Sequence, residues 1–175
     1  MQIVKIPSMR VSALLGESGE TKDYLEQRMK VSLNVDSDGS VEITGESLDE
    51  FIAKDIVKAI GRGFEPAIAL KLLSDEFGFK LIDLRDYSDS PKAQHRILGR
   101  IIGENGRTKE IINEEIGAHL AIYGHTVGII SKLDTLDYAL TAVFKLIEGS
   151  NHASVYGYLE KCRRKMKEEE VKRLF

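Results

Sequence analysis

The chain has 175 residues, room for one medium domain or two small ones, each of a size that folds alone. Hydrophobic residues at 42% and charged residues at 30% describe a packed core under a highly charged surface and exclude disorder over most of the length. A formal net charge of −3 excludes a global attraction to polyanions, so nucleic-acid contact must come from local Lys and Arg clusters, and the single cysteine, Cys162, excludes an intrachain disulfide or a cysteine-built zinc site.

In chain order, Gln2 to Ile6 reads as a first strand rather than the apolar segment of a secretory leader. No run approaches the ~18 apolar residues of a membrane span, so a cytoplasmic protein with no membrane partner is expected. A short helix leads to Gly16-Glu17-Ser18-Gly19, and another starts near Thr21. Val31, Leu33 and Val35 alternate as a strand, Asp38-Gly39 is a strong hairpin turn, and Val41 and Ile43 belong to the return strand. Ile52, Ile56 and Ile60 recur at helical spacing. Gly63-Phe64-Glu65-Pro66 breaks that pattern, and Ala67 to Leu73 reads as one more apolar helix. Nothing here has the Ser/Gly-rich or Pro-rich composition of a free linker, so the two halves are expected to pack together.

The second half opens with a predicted strand from Phe79 to Tyr87 and a short helix that runs into Gly103-Glu104-Asn105-Gly106. Ile112 and Ile116 share a helical face, and Gly117 stops that helix. Ala118, Leu120 and Ile122 alternate as a strand, Gly124 turns the chain, and Val127 to Ile130 returns. Leu136, Ala139, Leu140, Val143 and Ile147 form one face of a long amphipathic helix. Ser154 to Leu174 is a last helix, apolar at Val155, Tyr158 and Leu159 and charged beyond.

The halves repeat each other. Gly16 to Asp23 and Gly103 to Glu110 lie 87 positions apart, and the same offset sets Leu25 on Ile112, Leu33 on Leu120, Val35 on Ile122 and Ile56-Val57-Lys58 on Val143-Phe144-Lys145. Each copy reads strand, helix, helix, strand, strand, helix. The expected fold is mixed α/β (α+β), with a first unit and connector at 1–74, a second unit at 75–150 and a basic helix at 151–175.

Two glycines spaced Gly-x-x-Gly between helices suit a ligand backbone: without side chains they permit close approach, and the amides at the following helix start favour phosphate oxygens. The stretch Arg100-Ile101-Ile102-Gly103-Glu104-Asn105-Gly106-Arg107-Thr108-Lys109-Glu110-Ile111-Ile112, followed by Ile116-Gly117-Ala118, resembles a KH domain of type I. With its repeat, the resemblance implies two tandem type I KH domains and an added C-terminal helix.

Within KH proteins the chain resembles the small-subunit rRNA processing family that partners a pre-rRNA nuclease and an rRNA dimethyltransferase. Thr108-Lys109 after the loop, the connector Ile60-Gly61-Arg62-Gly63-Phe64 with Ala67, Ala69 and Leu70, and Val155-Tyr156-Gly157 carry that likeness, and the compact two-unit form looks archaeal. The resemblance implies binding of single-stranded RNA near the 3′ region of small-subunit rRNA during ribosome assembly. A processing nuclease, an rRNA methyltransferase or a translation factor are the implied protein partners.

The residues expected at the RNA are Arg96, Arg100, Ile102, Gly103, Glu104, Asn105, Gly106, Arg107 and Lys109. Glu104 stands where KH loops usually carry a cation, yet Lys92 to Lys109 holds five basic residues against that one acid. The first copy, with Gly16, Glu17, Ser18, Gly19 and Lys22, has only Arg10 and Lys22 against Glu17, Glu20 and Asp23, a balance that disfavours a polyanion and predicts an auxiliary site or a protein-docking surface. The Lys161 to Lys167 run reads equally as a solvated helix end or as an extension of the RNA footprint.

Other chemistry finds no support. His95, His119, His125 and His152 lack metal-ligand spacing, with His119 expected on an exposed strand face, and Cys162 reads as a surface thiol without a base. The P-loop spacing Gly-x-x-x-x-Gly-Lys-Ser/Thr is absent, so no catalytic residue, metal or cofactor is expected. The competing expectation is a protein-interaction scaffold in translation or RNA-decay complexes with weak RNA binding.

Overall fold

The computed structural model describes residues 1–175. In the first half, β1 (Gln2–Lys5), α1 (Val11–Leu15), α2 (Glu20–Met29), β2 (Val31–Val35), β3 (Ser40–Gly45) and α3 (Ser47–Gly61) follow one another. A short helix α4 (Pro66–Ala69) and a tighter turn, Leu70–Leu73, connect to the second half. There the order repeats as β4 (Phe77–Asp83), α5 (Pro91–Ile102), α6 (Arg107–Ile116), β5 (His119–Tyr123), β6 (Thr126–Lys132) and α7 (Leu133–Glu148), and α8 (His152–Leu174) closes the chain.

Each half builds an antiparallel three-stranded sheet with its last strand in the middle, β1-β3-β2 and β4-β6-β5. Alternation decides which side is buried: Val31 and Leu33 on β2 and Val41 and Ile43 on β3 turn inward, onto Ile56 and Ile60 of α3. The second sheet lays Leu120, Val127 and Ile129 on Ile101, Ile112, Ile116 and Val143. Every expected element is present, with shifted ends. The strand expected to reach Tyr87 stops at Asp83, whose carboxylate accepts the Arg85 N–H at 3.0 Å and starts a tight turn in place of further ladder. The connector helix is only four residues long before it tightens.

The halves are packed together. Phe64 is buried and meets Phe79 edge to face, with ring centroids 6.1 Å apart. It can do so because position 128 is glycine: a Cβ there would stand 2.7 Å from the Phe64 ring. Ala121 and Ile130, on the outer face of the second sheet, join the first core. Truncating Phe64 at this junction would cost about 3–5 kcal/mol.

α8 belongs to the second core. Val155, Leu159 and Cys162 are buried, spaced four and three apart on one face, so Cys162 is a core thiol and not the surface thiol expected. The Asn151 side chain caps the helix by accepting the Ser154 N–H at 2.8 Å, and Arg163 reaches Glu115 of α6 at 3.2 Å.

Candidate nucleic-acid interface

The site starts from the loop between α5 and α6. Gly103 has φ 77°, Asn105 φ 54° and Gly106 φ 78°, three left-handed residues in a four-residue turn. The two glycines serve different purposes. A Cβ on Gly103 would meet the Thr108 backbone nitrogen at 2.6 Å, so this glycine is demanded by the protein's own packing. A Cβ on Gly106 would meet nothing within 4 Å, which leaves the space in front of it to a ligand. Thr108, 1% exposed, shares a 2.7 Å hydrogen bond with the Tyr156 hydroxyl of α8, so the last helix holds the loop in shape. No side chain caps the start of α6, an arrangement that suits an anion because helix-start amides and the dipole favour negative charge.

Beside the loop lies a groove of about 500 Å³ whose walls include Gly106, Lys109 and Asn113 of α6, Ala118 and Leu120 at β5, and Ile68 of the connector. Lys109 is exposed and carries no ion pair. Arg107 lies 3.5 Å from Glu110 and 3.7 Å from Glu114, but exposed pairs of this kind are worth at most about 1 kcal/mol and yield to a phosphate. On α5, exposed Arg96 is free, Glu104 and Asn105 project from the loop tip, and Ile102 is half-buried at the helix end. The guanidinium of Arg100 donates to the carbonyls of Leu146, at 3.2 Å, and Ser150, which ties α5 to the end of α7.

β5 is an edge strand. The two-residue turn at Gly124-His125 makes Tyr123 and Thr126 a hydrogen-bonded pair, so alternation leaves the Leu120 N–H and C=O facing the groove. No side chain occupies that N–H. Asn113 instead donates to the Ala118 carbonyl at 3.2 Å. His119 is partly buried rather than on an open face, and burial first, then Lys71 and Lys109, hold its pKa below the usual imidazole value.

The first loop copies this backbone, with Gly16 at φ 71°, Ser18 at 54° and Gly19 at 82°, but its groove is closed by the protein itself. Glu26, the counterpart of Asn113, accepts the Leu33 N–H at 2.8 Å and pairs with Lys22 at 3.2 Å. Leu33 matches Leu120 and Lys22 matches Lys109, so the donor and the cation expected at a ligand are both already occupied. Pro66, Ala67 and Leu70 of the connector line the next cleft, against Tyr24 and Arg28 of α2. Glu17 sits in the acidic loop without a neighbouring cation.

Sequence reasoning missed Asn113, Ile68 and Tyr156. Asn113 was readable, since it lies four residues beyond Lys109 on the face that runs down from Gly106. Ile68 enters through tertiary packing and leaves no local signal, whereas Tyr156 stood in the Val155-Tyr156-Gly157 motif without any sign there of its contact with Thr108, 48 residues away.

The family model for the second KH domain of PNO1, a eukaryotic-type KH domain (type I), matches residues 78–164. The chain is 41% identical over 172 residues to KH domain-containing protein MJ0443 of Methanocaldococcus jannaschii, which covers 95% of this chain and 76% of that protein. It is 35% identical over 118 residues to pre-rRNA-processing protein pno1 of Aspergillus fumigatus, matching 66% of this chain but only 47% of the fungal protein. Among solved structures, Dim2p from Pyrococcus horikoshii superposes with a TM-score of 0.83 at 43% identity, covering 91% of this chain and 98% of that one. A chain of the a/eIF2alpha-aDim2p-rRNA complex from the same organism gives 0.87 at 42% identity, with 94% of each covered. The chain belongs to the PNO1 family of KH-domain proteins, among whose archaeal structural neighbours is Dim2p.

Proposed function

We propose that this chain is a non-enzymatic, single-stranded RNA-binding factor of small ribosomal subunit assembly that holds the 3′ region of the small-subunit rRNA during processing in the cytoplasm. In this reading it comprises two tandem type I KH domains, 1–74 and 75–150, and a basic helix at 151–175. The Gly103 to Gly106 loop and the groove beside it take the RNA. The first domain is at most an auxiliary RNA site.

The observation that carries the reading is the asymmetry between two copies of one backbone. The second groove presents an unclaimed edge-strand N–H at Leu120 and a free Lys109; the first, whose loop is as open at Gly19 as the second is at Gly106, has spent the same two groups on Glu26. An edge-strand amide and carbonyl beside a phosphate-binding loop can hydrogen-bond base edges of a strand that is not paired to another. A relative named for pre-rRNA processing and a neighbour solved with rRNA and a/eIF2alpha support the substrate class and a translation factor as one partner. A processing nuclease and an rRNA methyltransferase are further proposed partners. The sealed first groove favours protein contact over RNA contact for that half.

The test is the double change Glu104→Asp/Asn105→Asp, which adds a charge at the loop tip while keeping a residue type that tolerates the left-handed conformation. Affinity for single-stranded RNA should fall, while Glu17→Asp/Ser18→Asp in the first loop should leave it nearly unchanged. Equal effects at the two loops would overturn the assignment.

A further inference from the structure

β1 ends the first sheet with a second open edge, far in function from the sealed groove at β2. It pairs only with β3, and the Ile6 N–H donates to Gly39 at 2.9 Å, which fixes the alternation of the ladder. Val4 and Gln2 therefore face β3, and the N–H and C=O groups of Ile3 and Lys5 face outward with no partner. An unpaired edge of this kind is a template for another strand unless it is blunted. The strand is short and carries Lys5, but no proline or bulge interrupts it before Pro7, and Ile3 is 62% exposed.

Along this edge runs a groove of about 230 Å³ between β1 and the C-terminal part of α3. Its charged lining is entirely cationic: Lys5, Lys54, Lys58 and Arg62, with Ile3 and Pro7 supplying apolar surface. Lys5 is paired with Asp38 at 2.6 Å, whereas Lys54, Lys58 and Arg62 make no ion pair. Lys54 and Lys58 stand four residues apart on one face of α3, so their charges are separated by about 6 Å along the axis, and Arg62 follows at the cap of that helix. Side chains on one side of an extended strand recur every second residue, at about 6.6 Å. The two spacings match closely enough for carboxylates at alternate positions of a strand to meet successive cations.

We propose that the β1 edge is a docking site for an extended acidic peptide of a protein partner, added as a fourth strand with its carboxylates on Lys54, Lys58 and Arg62. Main-chain bonds to Ile3 and Lys5 supply affinity and the helix cations supply selection by charge. This edge has no Gly-x-x-Gly loop beside it to hold a phosphate backbone, unlike the groove at Gly103 to Gly106, which is why a peptide is the occupant. The proposal does not depend on RNA binding by the second half.

Anisotropy of a fluorescein-labelled octapeptide alternating Glu and Thr, titrated with the full chain, tests it against the same peptide alternating Lys and Thr. The Glu peptide should bind and the Lys peptide should not. Lys54→Glu/Lys58→Glu, two surface changes that leave the core intact, should weaken the Glu peptide at least tenfold. Ile3→Pro removes an outward N–H without removing a ladder bond and should do the same, and shifts of the Ile3 and Lys5 amides in the unmutated chain should report the contact directly. Equal binding of the two peptides, or an unmoved β1 amide pair, overturns the proposal. So does a charge reversal that weakens single-stranded RNA while leaving the peptide untouched, which would make this face a nucleic-acid surface.

Discussion

Installing the first groove's closure in the second is the sharpest perturbation available. Asn113→Glu places a carboxylate where Glu26 stands in the first half, within reach of the Leu120 N–H and of Lys109, as Glu26 reaches Leu33 at 2.8 Å and Lys22 at 3.2 Å. A hydrogen bond to a charged group is worth about 1.5–3 kcal/mol, and RNA would have to displace it. At about 1.4 kcal/mol per factor of ten, affinity falls about 10- to 150-fold. The exposed pair with Lys109 adds less than about 1 kcal/mol. Asn113 is exposed and gives up two hydrogen bonds, to the Ala118 carbonyl and the His119 ring, so the thermal midpoint should move little. Anisotropy of a labelled single-stranded RNA, with thermal unfolding by circular dichroism as the control, reads both quantities. A folded Asn113→Glu protein that binds RNA as tightly as the unmutated chain refutes the reasoning.

Three further outcomes follow from the geometry. Gly103→Ala should destabilise the fold because its Cβ strikes Thr108, whereas Gly106→Ala should cost only about 1–2 kcal/mol of left-handed strain yet weaken RNA binding, as melting and anisotropy on the same samples would show. Arg96→Ala should weaken RNA binding without changing stability, and Arg100→Ala should do the reverse, since its guanidinium serves the Leu146 and Ser150 carbonyls. The Asp83 carboxyl is lowered from its ordinary 3.8 to about 2, chiefly by its hydrogen bonds from Arg85. A depressed acid stabilises the fold above the unfolded pKa, so this contribution should be complete above about pH 4 and vanish as pH falls toward 2; acid titration of stability in Asp83→Asn should lack that component.

The repeat was legible because it lies in glycine positions and apolar spacing, which act locally. Gly103 and Gly106 punctuate the chain wherever the side chains go, and their order on β-α-α-β-β-α emerged from alternation and helical period alone. The closure of the first groove was only half visible. Its acidic balance was plain, but that Glu26 reaches back to the Leu33 backbone depends on a side-chain path across the groove that no periodicity encodes. The structural tie of Arg100 was invisible for a related reason: its spacing from Arg96 put both on one helical side, while its guanidinium finds carbonyls 46 and 50 residues away. Cys162 was misread although the signal existed, since Val155, Leu159, Cys162 and Met166 keep one helical phase through the basic run. Neighbouring charges drew the reading to the surface, while the apolar phase decides burial.

The central claim is that one of two copies of the same loop and groove is open to RNA and the other is closed by Glu26. Amide chemical-shift mapping of the intact chain, titrated with single-stranded RNA, tests it at single-residue resolution. The account predicts shifts at Gly103 to Arg107 and at Leu120, with Gly16 to Glu20 and Leu33 unmoved. Shifts centred on Gly16 to Glu20 and Leu33, with the second loop silent, would contradict it.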